Sequence, residues 1–446
     1  MLLIGLSTTL NDFLAKTGLT PDEVKRMDKG TLIRLVAETY DLYSDPKEAY
    51  RVAHEIRSEL YPRKVLPVSY SGCSYIGTDY TITNGYMEWN LNISNSSGDA
   101  FGSYTARTGS MHTDPHVTIL YGAPNAWSSY TTIHSGNSST DYVGTYGDWV
   151  DNPYPGYNLD SLQAYAQQVI CQEGGPIKSV TFIYHLTRGG DDLTVKELFW
   201  ITGSNPDDSR LWHKTIVINN DFMPNDVGVR WQYDTHLRDT DHPAHYECDY
   251  YPSFSMNCGP MVTNEIEVNP VPDTFDYLRT SDTDPPSGLY HIFAVYEYGP
   301  DSGLVTIPDF VYHAQWPDAY NTPWTWGLSG GDISLGGTDN AFVYFWNPVT
   351  LFYGDSVVYY SYIGATRTPA GWDDPTEVSE RGEGVRTGVS LSDRRLILRG
   401  DGYASVYTVD GRKVFGGEVR GGGLRRSGAG GHPAALDQGL SLGGYK

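Results

Sequence analysis

The chain has 446 residues, enough for two or three domains, and carries a formal net charge of −23 with a pI near 4.8. This acidity argues against nucleic acid or an anionic membrane surface as a partner. Charged residues make up only 19%, whereas Gly numbers 49 and Tyr 35, a composition typical of secreted all-β proteins. Because no apolar run is long enough to span a bilayer, we expect no membrane-spanning segment.

Residues 1–64 predict a small helical N-terminal segment. Thr20-Pro-Asp-Glu23 has the pattern of a helix capping box, and Asp45-Pro46 is a second helix start signal. The second signal precedes a helical stripe of apolar residues, namely Ala49, Val52, Ala53, Ile56 and Leu60. The sequence leaves open whether this segment packs on the rest of the protein, is a pro-segment, or serves as a docking arm.

The first residues are short for a secretory signal. Met1–Leu6 is apolar, but it lacks a basic start and meets Asn11-Asp12 soon afterwards. Two interpretations remain, a signal that begins upstream of Met1 or a cytoplasmic protein. The composition of the rest of the chain favours the first, with an extracellular or cell-surface location.

Residues 65–368 predict a mainly β body, a large antiparallel β-sandwich. The candidate strands are Ser179–Leu186, Lys196–Thr202, Leu211–Asn219, Gly228–Leu237, Glu265–Val268, His291–Tyr298, Phe310–Trp316, Ala341–Asn347 and Val357–Ile363. Clusters of Asp, Asn, Gly and Pro separate them, and no fixed period indicates a propeller or solenoid. One stretch, Leu159–Ile170, has a helical pattern instead. Many strands with almost no helix between them favour an antiparallel sandwich over a βαβ enzyme fold.

Four cysteines lie in this body. They are Cys73, Cys171, Cys248 and Cys258, and none forms a Cys-x-x-Cys pair. A zinc ribbon or a thioredoxin motif is therefore not expected. An even number in a secreted protein favours disulfides, for which three pairings are possible, and buried free thiols are the alternative.

The best metal-like cluster is the segment 239–247. Its candidate ligands are Asp239, Asp241, His242, His245 and Glu247, which offer oxygen and nitrogen donors. The His-x-x-His spacing lies in a Pro-containing loop and lacks the geometry of a metalloprotease helix. We expect a structural ion here if any, and the alternative is a solvated polar loop. No cofactor is expected otherwise, although Asp-rich loops such as 148–160 suit a structural Ca²⁺.

Aromatic residues concentrate in the loop-like stretch 315–326. It contains Trp316, Tyr320, Trp324 and Trp326. Exposed Trp and Tyr with Asp and Asn nearby stack on sugar faces or contact proteins, because they bring a large contact area at low entropic cost. The alternative is that these rings fill one end of the sandwich core.

Evidence for an enzyme is weak. The chain has no Gly-x-Ser-x-Gly elbow, phosphate loop or dinucleotide fingerprint. The strand carboxylates Asp234, Glu265, Glu267 and Glu297 are candidates for the facing pair of a glycosidase, but any acidic protein of this size has such candidates. We therefore expect a protein that acts by binding rather than by catalysis.

Residues 369–386 read as a linker and 387–446 as a small β tail with a Gly-rich end. In the stretch 404–415, two alternating runs flank Asp410-Gly411, which is a hairpin signal. This stretch resembles the C-terminal sorting domain of type IX secretion cargo, a small β-sandwich. The resemblance implies that the protein leaves the cell. It ends near Gly416, and 416–446 reads either as a flexible Gly-rich tail or as the product of a reading-frame error.

The body carries a second resemblance. Asp226–Thr235, Asp339–Leu351 and Tyr359–Gly364 look like an uncharacterised large β-sandwich domain of secreted and surface proteins in bacteria and archaea. The most specific part is Trp346-Asn-Pro-Val-Thr-Leu351. This resemblance implies a fold and an extracellular location, but no catalytic residues.

These features together predict a non-catalytic extracellular protein that acts through surface contacts. We expect an adhesin or a self-assembling subunit of a surface layer or filament, whose partner is another copy, an extracellular protein or a glycan. The alternative is a secreted sandwich that binds or cleaves carbohydrate through Trp316, Trp324 and Trp326 with Asp318 or a carboxylate pair.

Overall fold

The computed structural model describes residues 9–366 and five strands beyond them. The gaps in the first range are residues 28, 45, 61–66, 96–99, 146–157, 176, 239, 252–254, 273–274, 284–289 and 296–304. The later strands are 388–392, 395–399, 402–407, 413–420 and 423–425. None of the described helices is long and apolar enough to cross a membrane. Contacts divide the chain into two units, Met1–Asp373 and Asp374–Lys446.

The N-terminal segment is helical, as predicted. Its helices are α1 (Thr9–Thr17), α2 (Pro21–Lys25), α3 (Lys29–Tyr40) and α4 (Pro46–Leu60). The capping box at α2 is confirmed, because the Glu23 amide donates to Thr20 Oγ1 and the Thr20 amide donates to Glu23 Oε2. The predicted stripe of α4 is buried from Ala49 to Leu60.

Twenty strands are present in the described residues of the body. They are β1 (Ser69–Ser71), β2 (Tyr80–Thr83), β3 (Met87–Leu91), β4 (Tyr104–Thr108), β5 (Tyr130–Ser135), β6 (Thr140–Val143), β7 (Asn158–Ser161), β8 (Ala166–Gln172), β9 (Lys178–Leu186), β10 (Leu193–Thr202), β11 (Arg210–Asn219), β12 (Asn225–Asp234), β13 (Ala244–Tyr251), β14 (Ser255–Val262), β15 (Ile266–Val268), β16 (Tyr277–Ser281), β17 (Tyr290–Ala294), β18 (Phe310–Gln315), β19 (Asn340–Leu351) and β20 (Ser356–Thr366). A short helix, α5 (Trp316–Asn321), follows β18.

Two large sheets make the sandwich. Sheet I has the strand order β1-β8-β9-β10-β11-β20-β17-β16-β13-β14, and sheet II has the order β15-β18-β19-β12-β5-β6-β7. A third sheet, β2-β3-β4, contributes to the same core. Nearly all neighbours are antiparallel; β1 with β8 and β6 with β7 are parallel. The predicted mainly β sandwich is confirmed.

The predicted strands of the second half correspond closely to observed ones, but the helix at Leu159–Ile170 is wrong. That stretch forms β7, a 3₁₀ turn at Leu162–Tyr165, and β8. Within β8, Ala166, Val169 and Cys171 are buried whereas Gln172 is exposed. Apolar residues recur about every three positions in this stretch because of the turn and of a β-bulge between Ala166 and Gln168, and not because of a helical period.

The core between the sheets is aromatic and contains a buried polar pair. His213 of β11 lies between the rings of Phe199 and Trp231, at centroid distances of 4.5 and 3.9 Å. Its Nε2 is 2.9 Å from Glu197 Oε1, and both side chains are fully buried. Burial lowers the pKa of His213 more than the Glu197 carboxylate raises it. The pair therefore links adjacent strands β10 and β11 without contact with solvent.

The outer face of sheet II is covered rather than open. Apolar side chains of this face form one contiguous cluster with those of α5 and of the N-terminal helices, including Phe13 and Ile56. Of the three roles left open for residues 1–64, packing on the body is the one observed. A docking arm would have to expose side chains that are now buried.

The second unit is described by itself. Its strands are β21 (Gly388–Ser392), β22 (Arg395–Arg399), β23 (Gly402–Tyr407), β24 (Lys413–Arg420) and β25 (Gly423–Arg425). They form a two-stranded and a three-stranded sheet, in agreement with a small β-sandwich-like tail. β23 pairs antiparallel with β24, as the hairpin signal predicts, while Asp410 and Gly411 lie outside the described residues.

The four cysteines form two disulfides. Cys73 pairs with Cys171 and Cys248 pairs with Cys258, with sequence separations of 98 and 10. The expected disulfides are thus confirmed, and one of the three possible pairings is selected. Closing a longer loop removes more conformational entropy from the unfolded chain.

We expect the two disulfides to stabilise the protein unequally. Replacement of Cys73 and Cys171 by Ser should lower the free energy of unfolding by about 4–5 kcal/mol, and replacement of Cys248 and Cys258 by about 3 kcal/mol. Urea unfolding of the two double variants under oxidising conditions measures both values. An equal loss in the two variants would contradict the loop-length argument.

Candidate functional site

A segment rich in aromatic residues lies on the outer face of sheet II. This aromatic segment comprises residues 316–328, and it begins as α5 instead of the predicted strand end and loop. Pro317 at the first turn suits a helix start, because proline has no amide hydrogen to leave unpaired there. The segment lies over β12, β18 and β19.

The buried guanidinium of Arg230 holds the aromatic segment from below. Its Nη1 donates to the carbonyl oxygens of Thr322 and Pro323, at 2.6 and 2.9 Å. Its Nη2 donates to the carbonyl of Ala319 and to Gln232 Oε1. Oxygen acceptors thus replace water around a charge that is fully buried.

Aromatic rings complete the surroundings of this cation. The guanidinium carbon lies 5.5, 5.4 and 5.7 Å from the ring centroids of Tyr130, Trp326 and Phe345. Contacts of this kind attract a cation most strongly where water is excluded. Arg230 therefore fixes both the backbone of the segment and one of its tryptophans.

The carboxylate of Glu265 binds the backbone on both sides of the aromatic segment. Glu265 accepts hydrogen bonds from the amides of Gln315, Ser329 and Gly331 and from Ser329 Oγ. Burial, and secondly this carboxylate, raise the pKa of the half-buried Asp318. The Glu265 carboxylate thus serves to shape a loop, which leaves it poorly suited to the catalytic role considered from sequence.

The four predicted contact residues divide into two pairs. Trp316 and Tyr320 are buried and stack on each other at 4.8 Å, so they belong to the core, as the alternative interpretation held. Trp324 and Trp326 are partly exposed. Trp326 packs edge-on against Tyr312 and joins the apolar cluster. Trp324 is the ring that lies at the margin of this cluster.

Trp324 lies flat against the strands beneath it. Its ring is nearly parallel to that of His134, at 22° and 5.1 Å between centroids. A Cβ atom on Gly228 would lie 2.7 Å from Trp324 Cη2 and 3.2 Å from Pro348 Cγ, so only glycine permits this approach. One face of the indole is therefore against the sheet and the other is directed away from it.

Polar groups surround the indole. His134 Nδ1 is 2.7 Å from Asp141 Oδ1 on the neighbouring strand, and both side chains are nearly buried. Asp226 is exposed and points to the same face as Gly228, two residues along β12, about 7 Å away. We call Trp324, His134, Gly228, Pro348 and Asp226 the Trp324 surface.

The predicted metal cluster does not assemble. Asp239 lies outside the described residues, and Asp241 and His242 precede β13 whereas His245 and Glu247 lie within it. Asp241 pairs with His236, at 2.9 Å. In the described part of the chain, no three His, Cys, Asp or Glu side chains form a group that could hold a metal ion.

His245 and Glu247 instead contact His313 of the opposite sheet, and the two histidines form a pair that joins the sheets. His245 Nδ1 of sheet I is 3.3 Å from His313 Nδ1 of sheet II, and His245 Nε2 is 3.0 Å from Thr235 Oγ1. Glu247 Oε1 approaches His313 Nε2 at 3.4 Å. Burial, and secondly the charge of His313, hold the pKa of His245 well below its usual range.

Sequence reasoning missed His134, Asp141, Gly228 and Asp226. The first two lie in the hairpin of β5 and β6, where the turn Gly136-Asn137 is a recognisable signal. Their alignment follows from the register, which pairs His134 with Asp141 and with Gly228. No local sequence pattern places Trp324 over His134 and Gly228, since Gly228, the nearer of the two in the chain, is 96 residues from Trp324 (324 − 228).

No family model and no curated protein matches the sequence. Among solved structures, a protein from Synechocystis sp. PCC 6803 is 9% identical with a TM-score of 0.36, covering 67% of this chain and 98% of its own. A galactose mutarotase-like protein from Lactobacillus casei is 10% identical with a TM-score of 0.33, covering 64% and 99%. An aldose epimerase homologue from C. elegans is 12% identical with a TM-score of 0.34, covering 65% and 98%. At these TM-scores the likeness carries no argument about function.

Removal of the Arg230 guanidinium should release the aromatic segment. In Arg230→Met, the carbonyls of Ala319, Thr322 and Pro323 lose their buried donors, which should lower the free energy of unfolding by about 3 kcal/mol or more. Urea unfolding measures the loss, and limited chymotrypsin digestion should show new cleavage within residues 316–328. Arg230→Lys keeps the charge but not the fork of donors, so we expect an intermediate result. A wild-type digestion pattern in Arg230→Met would contradict this role.

The buried histidines should make the fold sensitive to acid. Burial, and secondly His236 and His112, lower the pKa of His291 to about 3, against about 6.5 in an unfolded chain. Below pH 6.5 His291 becomes protonated in the unfolded state but stays neutral in the folded state. Stability is therefore complete above that pH and falls as the pH decreases towards 3, by up to about 1.4 kcal/mol per pH unit for each such histidine.

Urea unfolding between pH 7 and pH 5 tests this dependence. His291→Asn and His245→Asn should each show a smaller loss of stability across this range than the wild type. His116→Asn is the control, because His116 is exposed and has a positive φ that asparagine tolerates. An unchanged pH slope in both buried variants would contradict the assignment.

Proposed function

We propose that the protein is an extracellular, non-catalytic β-sandwich that binds carbohydrate at the Trp324 surface. The observation that carries this proposal is the fixed, partly exposed indole of Trp324, which lies flat over Gly228 and His134. A flat aromatic ring of this kind suits the apolar face of a sugar ring.

Pre-organisation supports binding at this surface. The segment that carries Trp324 is held by Arg230 on one side and by Glu265 on the other. A ligand therefore does not have to order the tryptophan, and the entropy that ordering would consume is saved. The exposed Asp226, two residues from Gly228 on β12, offers carboxylate oxygens, which accept hydrogen bonds from sugar hydroxyl groups.

The same geometry supports binding over catalysis. The His134–Asp141 pair has the composition of a general base and its orienting carboxylate. The Trp324 ring stacks on His134, and the histidine is only 7% exposed, so access to the imidazole is restricted. A group that abstracts a proton from substrate has to come within hydrogen-bond distance of it.

The location proposed for the protein rests on its chemistry. Two disulfides form in oxidising compartments and not in a reducing cytoplasm. The resemblance of residues 404–415 to type IX sorting domains points in the same direction and stays a prediction. We therefore propose secretion to the cell surface or the medium.

Adhesion or self-assembly into a layer or filament also stays a prediction. Self-assembly by exchange of the N-terminal helices between copies would require these helices to leave their own body, although Phe13 and Ile56 are fully buried in it. Glycan binding requires no such rearrangement, which is why we prefer it. An adhesin that recognises a surface glycan would satisfy both descriptions.

The central test is a binding screen of wild type, Trp324→Ala and Gly228→Ala on an array of neutral and acidic glycans. Trp324→Ala should lose about fivefold or more in affinity, since ring stacking contributes on the order of 1 kcal/mol or more. Gly228→Ala keeps the tryptophan but displaces it, so it should weaken binding in the same way. Tyr75→Ala is the control, because Tyr75 is an exposed aromatic residue on the loop of the Cys73 disulfide.

Thermal unfolding must accompany these measurements, to show that each variant is folded. Equal glycan binding by wild type and Trp324→Ala, with both folded, would contradict the assigned surface. Failure of the wild type to bind any glycan would contradict the proposed function itself.

A further inference from the structure

Two connections at one end of the sandwich are tied together. Residues 220–224 join β11 to β12, and residues 352–355 join β19 to β20. Asn219 Nδ2 donates to the carbonyl oxygens of Met223 and Leu351, at 2.9 and 2.8 Å, and its own carbonyl accepts from the Gly354 amide at 2.8 Å. The Met223 amide donates to Asp221 Oδ1 and the Phe352 amide to Asp355 Oδ2, so both connections have a defined shape.

These connections present large apolar side chains to solvent. Phe222 is 83% exposed, Met223 64%, Phe352 60% and Tyr353 59%. The rings of Phe222 and Tyr353 stack at 4.7 Å, which links the two connections. We call these four residues the tip patch. Contiguous exposed apolar residues on an otherwise acidic protein indicate a binding surface.

The tip patch lies beyond the Trp324 surface, in the connections at the end of β19 and before the start of β12. Pro348 lies on β19 beside Trp324, and Tyr353 follows it by five residues. At a rise of about 3.3 Å per residue, the three steps from Pro348 to the end of β19 at Leu351 span about 10 Å, and Tyr353 lies in the connection beyond. The exposed pair Asp226 and Thr350 lies between them, where the Thr350 hydroxyl donates to the Asp226 carboxylate.

We infer that the tip patch is a second contact point for the ligand of the Trp324 surface, and that this ligand is an extended neutral glycan chain. The inference rests on the proposed function and specifies its ligand. Two aromatic contacts at either end of a strand segment about 10 Å long cannot both be reached by a single pyranose ring, whereas an oligosaccharide chain spans them.

The negative charge of the surface favours neutral oligosaccharides over acidic ones. Asp221, Asp226 and Asp355 border the path, and the chain as a whole carries a net charge of −23. Uronic acid or sulfate groups would meet like charge there, while neutral hydroxyl groups find carboxylate acceptors. The same argument disfavours a second copy of this acidic protein as the occupant.

Titration calorimetry with cello- and malto-oligosaccharides, from the monosaccharide to the hexasaccharide, tests the inference, with oligogalacturonate as the acidic comparison. Wild-type affinity should increase with chain length for a neutral series. The Phe222→Ala/Tyr353→Ala variant should lose about tenfold in affinity for the longest chains and keep the affinity for short ones. Tyr75→Ala should behave as wild type.

The outcomes separate the two proposals. If the double variant keeps the wild-type dependence on chain length while Trp324→Ala does not bind, the inference fails and the proposed function stands. Preference for oligogalacturonate, or a dimer in light scattering that the double variant abolishes, would also overturn the inference. If the wild type binds none of these chains, and no glycan on the array, both proposals fail.

Discussion

A buried arginine determines how one face of this sandwich is covered. A guanidinium in the protein interior is tolerated only where its donors find acceptors, and Arg230 finds them in carbonyl oxygens of the aromatic segment. The charge and the segment thus depend on each other. Without the segment, Arg230 would face solvent in the middle of an apolar sheet face, and without Arg230 the carbonyls of Thr322 and Pro323, just after α5, would lose the donor that they have in the protein interior.

The same principle recurs between the two sheets. Glu197 and His213 satisfy each other in an aromatic core, and His245 meets His313 across the sheets. Such groups add little net stability compared with well-packed apolar residues, but they tolerate few alternative arrangements. We interpret them as contributions to specificity of the fold, because a shifted strand register would leave them unpaired in a low-dielectric interior.

Local patterns in the sequence predicted much of the fold and little of the site. Thr20 and Glu23 act within four residues, and strands such as β9 and β10 alternate cleanly, so their signals are complete in a short window. Leu159–Ile170 misled because a turn and a bulge reproduce a helical spacing by accident. The aromatic segment was singled out, but its burial was not predictable, because the decisive partner, Arg230, lies about ninety residues away. Likewise, His245 and Glu247 were grouped as ligands by proximity in the chain, whereas their actual partner is His313 on the opposite sheet.

Each of the two disulfides lies at an edge of sheet I, which their sequence separations do not reveal. Cys73 follows β1 and bonds to β8, at one edge of sheet I, while Cys248 and Cys258 join β13 to β14, at the opposite edge. The outermost strands of a sheet fray first and present unpaired backbone groups to other chains. A reducing compartment would leave both margins of the ten-stranded sheet without their covalent closure, and oxidation would secure them together. Both edges of sheet I are therefore covalently secured only in the oxidised protein.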